Sequence, residues 1–291
     1  MISLTNPYYQ YYLPSVPAAV VVSALFLVLT VTHLTFVIRT RRYFGLPIVA
    51  GGTFEFVGFA SRAVSHYNLT KLTPYIIQIL LVLLAPILFA AGIYMFLGRL
   101  LAATKYSNYS IIRTTRLTKI FVCGDILCFL IQAYGGTKLI KPKDLATIRV
   151  GQHTILFGLA LQVLIFGIFL LVAVIFQLRI VQNKVVEKIR PGVRIIHMLY
   201  TIYFASAFIM IRNIYRFVEY IMPHDGYFSQ HEWPTYALDA VLMSLIMMAS
   251  ISWYSTDLDT GDAKSDIPMH NAPVDYQQKE PAVRVSDGRT Y

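Results

Sequence analysis

The sequence predicts an all-α polytopic membrane protein, a bundle of seven transmembrane helices with its N-terminus outside and its C-terminus in the cytoplasm. Three observations lead there. The apolar residues arrive in long runs, charged residues are scarce, and the basic residues sit beside the runs. Hydrophobic residues fill 56% of the 291 positions and charged residues 14%, against about 25% charged in a soluble domain. A span of the bilayer needs about 20 mostly apolar residues.

Seven such runs follow one another. Residues 16–38 have no basic residue before them and no clear cleavage site after them, so they read as a span and not as a signal peptide. Residues 46–66 are leaner and carry Glu55 and Arg62. Residues 73–97 contain Pro86, which frees one backbone carbonyl and is expected to kink the helix. Residues 117–134 hold Asp125 and both cysteines, Cys123 and Cys128. The cysteines point to different helix faces and read as small buried apolar residues, not as ligands. Residues 154–178 follow, then 196–221 with Arg212, Arg216 and Glu219, then 235–254 with Asp239. Residues 1–15 form an extracellular N-terminus on this reading. After Tyr254 the chain turns polar, and 255–291 reads as a disordered cytoplasmic tail.

Orientation follows from Lys and Arg, which favour the cytoplasmic side. Loops one, three and five hold twelve; the N-terminus with loops two, four and six holds five. The fourth loop is the exception, with Lys138, Lys141, Lys143 and Arg149 on the side read as outer. Of two glycosylation sequons, Asn68-Leu69-Thr70 lies outside but almost on the membrane, and Asn108-Tyr109-Ser110 is cytoplasmic.

Charges at membrane depth are the most informative residues. Seven of them, Glu55, Arg62, Asp125, Arg212, Arg216, Glu219 and Asp239, would together cost roughly 17–25 kcal/mol if left unpaired. That exceeds the stability of a typical protein, about 5–15 kcal/mol. They are therefore expected to pair, to face water or to sit at the interface. Glu55 and Arg62 share a face two turns apart, and Arg212, Arg216 and Glu219 line one stripe. With the orientation above, five of the seven fall in the outer half, and Asp125 lies near midplane with Glu55. The expectation is that Arg62 or Arg212 contacts Glu55, Glu219 or Asp239. Such a cluster fits an ion network that fixes packing, and it also fits a polar cavity for a headgroup or charged ligand. His33, Gln78, Gln132 and Gln162 read as interhelical hydrogen-bonding residues. His224, His231 and Glu232 in the last loop are too sparse to assign a metal.

Several function classes fall away. The basic residues flank apolar runs and form no basic stripe with interleaved aromatics, so no nucleic-acid partner is expected. No cofactor or metal is expected. His33, His153 and His197 are scattered without a H-E-x-x-H spacing, so no intramembrane enzyme is expected. The P-loop pattern GxxxxGK[ST] is absent, which excludes that route to ATP hydrolysis.

Several segments carry a resemblance. They are EFVGFASR from Glu55, LLAPILFAAGIYMFLGRL from Leu83, FVCGDILCFLIQAYGG from Phe121, GLALQVLIFGIF from Gly158, IRNIYRFVEY from Ile211 and HEWPTYALDAVLM from His231. In this order they resemble the RTA-like family of fungal seven-helix proteins, also called the lipid-translocating exporter family, over roughly residues 10–254. The resemblance implies resistance to amphipathic toxic compounds, release or translocation of sphingoid long-chain bases and, in one branch, porphyrin or heme traffic. It implies a plasma-membrane location. The family's charged positions fall on Glu55, Arg62, Asp125, Arg212, Arg216, Glu219, Glu232 and Asp239, the candidates for substrate binding or coupling. Glu55 and Asp125 are the acids read as proton-coupling candidates. The expected partner is a membrane lipid or an amphipathic small molecule; oligomeric state stays open.

Two functions remain in view. One is a transporter or translocase of an amphipathic lipid-like compound. The other is a seven-helix receptor or sensor of membrane or lipid stress. The topology suits the second, but the Asp-Arg-Tyr and Asn-Pro-x-x-Tyr patterns are absent, and the seventh run has no lysine for a retinal Schiff base.

Overall fold

The computed structural model describes residues 13–67, 71–103, 114–140, 144–182, 195–222 and 231–254. The first twelve residues, both sequons, His224 and the tail lie outside the described residues, as do Lys105, Arg113, Lys141, Lys143, Lys184, Lys188, Arg190 and Arg194. The chain divides into residues 1–258 and 259–291; only the first unit contains described residues.

The described part is helical. The long elements are α1 (Val16–Thr40), α2 (Leu46–Tyr67), α3 (Leu72–Ala103), α4 (Thr114–Ile140), α5 (Leu145–Gln182), α6 (Ile195–Ile221) and α7 (Thr235–Tyr254). Helices are the natural answer to a bilayer because they satisfy every backbone donor internally. Among the described residues six elements are long and apolar enough to cross a membrane: Val16–Thr40, Tyr43–Tyr67, Leu72–Leu101, Thr118–Ile140, Ala146–Arg179 and Thr235–Tyr254. The other, α6, has 27 residues and carries Arg212, Arg216 and Glu219 in its second half.

Local chemistry fixes several boundaries. Pro17 sits in the first turn of α1, where its missing N–H is no loss. Arg41 ends α1 in the left-handed region, with φ 52°. The chain then turns through Tyr43–Gly45 into α2. Asp144 caps α5 by accepting from the Thr147 hydroxyl and N–H, and these bonds hold its carboxyl below the usual range. Pro86 does not break α3, which runs unbroken from Leu72 to Ala103. α7 begins with a π-helical segment, Thr235–Val241, continues as α-helix over Leu242–Ser250 and ends in a 3-10 turn, Ile251–Tyr254.

Each helix packs on the next, and α7 also packs on α1, which closes the bundle. Alternating direction shows in the paired residues. Between α1 and α2, Phe26 stacks on Phe59, while Val37 meets Gly45 at the other end. Between α2 and α3, Gly58 faces Val82 and Gly51 faces Phe89. Between α4 and α5, Gly151 faces Gly135, Gly158 faces Cys128 and Gly124 faces Ile165. Between α5 and α6, the Tyr203 hydroxyl donates to the Ala173 carbonyl at 3.1 Å and Gly167 faces Met210.

The surface is apolar, as a lipid-facing surface must be. Leu164, Leu171 and Leu178 are 59%, 59% and 54% exposed at seven-residue intervals along α5, and Val21 and Val28 are 68% and 63% exposed on α1. In water such stripes would drive association. Cys123 is exposed rather than buried, on the face of α4 opposite Cys128.

The Tyr254 end of the bundle is closed by aromatics. Phe96 stacks on Trp253 with centroids 4.4 Å apart, and the indole N–H donates to Thr201. Tyr254 stacks on Phe36 and Phe44, its hydroxyl lies 3.2 Å from His33 Nδ1, and its carbonyl accepts from Arg42 at 2.9 Å. The His33 Nε2 donates to the Met247 carbonyl. His33 is thus an interhelical hydrogen-bonding residue.

Candidate functional site

Two ion clusters form at the opposite end and in the middle of the bundle. At the end where α1 and α7 begin, Glu232 gathers three elements. It accepts from the Ser15 backbone N–H at 3.0 and 3.1 Å, from Arg62 at 2.8 Å and from the Tyr236 hydroxyl at 3.0 Å. The Arg62 guanidinium also lies over the Tyr236 ring, 5.5 Å from its centroid. Arg62 therefore pairs with Glu232 and not with Glu55 on its own helix.

Deeper in the bundle, Asp239 receives both arginines of α6. Arg212 Nε donates to its Oδ1 at 2.7 Å, and Arg216 donates to its Oδ2. Arg216 also pairs with Glu219 at 3.0 Å across one turn. Arg212 and Asp239 are fully buried, at 0% and 1% side-chain exposure, so each holds the other in a medium that cannot hydrate it. The π-helical segment of α7 contains Asp239. Such segments widen a helix by one residue per turn and concentrate at functional positions.

Counting charges separates two acids from the rest. Arg62, Arg212 and Arg216 face Glu232, Asp239 and Glu219 in ion pairs. Glu55, 1% exposed, lies within electrostatic range of Asp239, Arg212 and Arg216 but has no ion pair of its own among the described residues, and its Oε2 has no hydrogen-bond partner there. Asp125, also 1% exposed, accepts from the Tyr94 hydroxyl at 2.8 Å through Oδ2, while Oδ1 has no partner among the described residues.

Of the eight sequence-predicted residues, the structure brings Arg212, Arg216, Glu219 and Asp239 into one network, with Glu55 beside it. Arg62 and Glu232 form a second pair, and Asp125 stands apart on α4. Sequence reasoning did not single out Tyr236, the Ser15 N–H, Tyr94 or Asn213. Asn213 was legible as an amide inside an apolar run; the Ser15 contact was not, because a backbone donor has no sequence signature. Gln132 donates to Gln162 at 2.8 Å, tying α4 to α5 as their polar character in apolar runs implies.

A lipid-facing groove of about 360 Å³ runs along α2 and α3. It is lined by Phe56, Val57, Ala60, Val64 and Ile77, with Lys71 and Thr73 near the α2–α3 turn. Its α2 residues interleave with Glu55 and Arg62, so one helix carries an apolar groove on one face and buried charge on another. Among the described residues no group of three or more His, Cys, Asp or Glu could hold a metal ion.

Fold and site define a multi-pass, all-α membrane protein whose bundle is crossed by buried, mostly paired charges. Residues 48–258 match the model of the family described as RTA1 like protein, and the chain belongs to that family. Protein RTM1 of Saccharomyces cerevisiae is 35% identical over 71% of this chain and 65% of its own length. Protoporphyrin uptake protein 1 of the same species is 36% identical over 70% of this chain and 66% of its own length. Sphingoid long-chain base transporter RSB1 is 23% identical over 83% of this chain and 72% of its own length. The alignments thus span just under two thirds of the first two relatives. No solved structure matches the chain.

Proposed function

We propose that this protein transports an amphipathic, lipid-like compound across the membrane, a sphingoid base or a toxic amphiphile, and so confers resistance to it. The carrying observation is on α2, where Glu55 faces the Arg212–Asp239 network and Arg62 pairs with Glu232 while the intervening residues line an apolar groove open to lipid. A headgroup exchanged into the network and a tail left in the groove would divide the cost of desolvation between them. Glu55, with no ion pair among the described residues, is the group that takes a headgroup or proton; Arg62, Arg212, Arg216, Glu219, Glu232 and Asp239 shape its surroundings. Two relatives named for a sphingoid long-chain base and for protoporphyrin support a lipid-like substrate.

On this reading the chain is no enzyme, sits in the plasma membrane and spans it seven times. α6 is the polar span, the N-terminus is outside, and the Glu232 end faces out. With no P-loop, transport runs downhill, on a gradient or with a partner.

The test is flux of a labelled sphingoid base in proteoliposomes, comparing wild type with Glu55→Gln and Arg62→Ala. Flux in wild type that drops severalfold or more in Glu55→Gln supports the reading. Equal flux in all three, or none in any, removes it.

A further inference from the structure

α3, α4, α5 and α6 pack pairwise into a four-helix ring. On its helices are buried polar atoms with no hydrogen-bond partner among the described residues: Asp125 Oδ1, Gln132 Oε1, Ser206 Oγ, Arg212 Nη1 and both polar atoms of Asn213. Native interiors rarely leave such atoms unmatched, and a cluster of them points to bound water or an ion.

The cross-helix contacts place several of these atoms at one depth. Gly124 faces Ile165 and Gly167 faces Met210. Because both helix pairs are antiparallel, Asp125 on α4 and Asn213 on α6 both fall beside residue 164 of α5, within about one helical turn, ~5 Å, of each other in height. Ser206 lies roughly two turns from Asn213 on the same helix, ~10 Å toward the Tyr254 end. Both Asn213 and Ser206 are fully buried, at 1% and 0%.

Asp125 faces no cation within ion-pair distance among the described residues. From α3 it meets Tyr94, whose ring packs at 4.4 Å on Phe169, 5.6 Å on Phe121 and 6.1 Å on Phe166. Of these rings, Phe166 and Phe169 belong to α5 and Phe121 to Asp125's own helix, where Cys128 also lies within electrostatic range; on α6 the charge beside Asn213 in sequence is Arg212. Arg212 is already committed to Asp239 and the Val82 carbonyl. A bare carboxylate among aromatic rings is strongly disfavoured, and a neutral acid is not.

We propose that the α3–α6 ring encloses a hydrated proton site, in which Asp125 carries the proton on Oδ1 and bound water links it to the Asn213 carboxamide. When Asp125 gives its proton to that water, the carboxylate left behind keeps the Tyr94 hydroxyl as donor on Oδ2. The water, now hydronium, is met by the Asn213 carboxamide oxygen, and the reverse step restores the acid. The site stands on different residues from the Glu55 network, so its failure and that of the transport reading are separable.

The test is infrared spectroscopy of the full chain in phosphatidylcholine vesicles near neutral pH, in H₂O and D₂O. The expected result is a carboxylic-acid C=O band that Asp125→Asn abolishes, that Glu55→Gln retains and that shifts down in D₂O. Tyr94→Phe and Asn213→Leu each move it. A wild-type band untouched by Asp125→Asn, or one without a D₂O shift, overturns the site. If Asp125→Asn does not fold, Tyr94→Phe and Asn213→Leu decide: a band that neither moves also overturns it.

Discussion

Arg212 donates through Nη2 to the Val82 carbonyl at 2.9 Å. That carbonyl is free for it because Pro86, four residues on, has no N–H to return. An interruption in α3 and a buried charge in α6 thus satisfy each other. The helix needs no other donor there, which is consistent with its running unbroken through the proline. The same guanidinium reaches Asp239 at 2.7 Å, so one side chain joins α3, α6 and α7.

This linkage predicts a coupling. Arg212→Ala leaves Asp239 with one guanidinium and the Val82 carbonyl bare, and is expected to destabilise the fold by about 3–5 kcal/mol. Pro86→Ala returns an N–H to that carbonyl. In its background the Arg212→Ala loss should shrink by roughly 1 kcal/mol, the net worth of one hydrogen bond. Reversible unfolding in mixed micelles measures the cycle; strictly additive losses would refute the link.

Arg62 and Glu232 are 170 residues apart and join at 2.8 Å. Their burial differs: 3% of the arginine side chain is exposed and 16% of the glutamate. Glu232→Ala should therefore be a harsher change than Arg62→Ala, because it takes the carboxylate away from a buried guanidinium and also releases the Ser15 N–H. A loss of about 3 kcal/mol is expected for it, with the charge-swapped pair Arg62→Glu, Glu232→Arg recovering only part, since a guanidinium at 232 cannot accept from Ser15. Thermal unfolding of the four proteins gives the order.

Most of the helices were legible because a bilayer forces runs of about 20 apolar residues. Their full lengths were not. α5 runs from Leu145 to Gln182, beyond the apolar core at 154–178, because backbone bonding continues where side chains reach water. The stripe Arg212, Arg216, Glu219 followed from helical spacing, and its meeting with Asp239 followed from depth. The Arg62 partner did not, because Glu232 reads as a loop residue and only the folded start of α7 brings it inward. The π-helical turn at Thr235–Val241 was also hidden, since helical periodicity is read assuming regular turns. Pro86 was legible as a freed carbonyl, but nothing in the sequence named Arg212 as its donor.

Gln132 and Gln162 exchange one buried hydrogen bond between α4 and α5. Polar contacts of this kind inside membranes average about 0.6 kcal/mol. Gln162→Leu should cost more than that, because Gln132 Oε1 already has no partner among the described residues and its amide N–H₂ would then lose its acceptor too. Replacing both by leucine should cost less than Gln162→Leu alone. The sign of that difference, read from unfolding midpoints, is the check.

Gly45 sits where a side chain cannot. A Cβ built there falls 1.9 Å from the Tyr254 hydroxyl oxygen and 2.8 Å from a Val37 methyl. Tyr254 cannot simply withdraw. Its ring is stacked between Phe36 and Phe44, His33 lies 3.2 Å from its hydroxyl and Arg42 binds its carbonyl. Gly45→Ala must therefore push apart the last turn of α7 and the start of α2, at about 1–3 kcal/mol by the usual scale of overpacking. Tyr254→Phe alone should be mildly destabilising, through the lost contact with His33. Combined with Gly45→Ala it should recover part of the loss, because the closest clash is with the hydroxyl, while the ring carbon at 2.9 Å keeps the recovery incomplete. Unfolding midpoints for the two single variants and the pair decide it. A double variant as unstable as the sum of its parts would place the strain on Val37 instead.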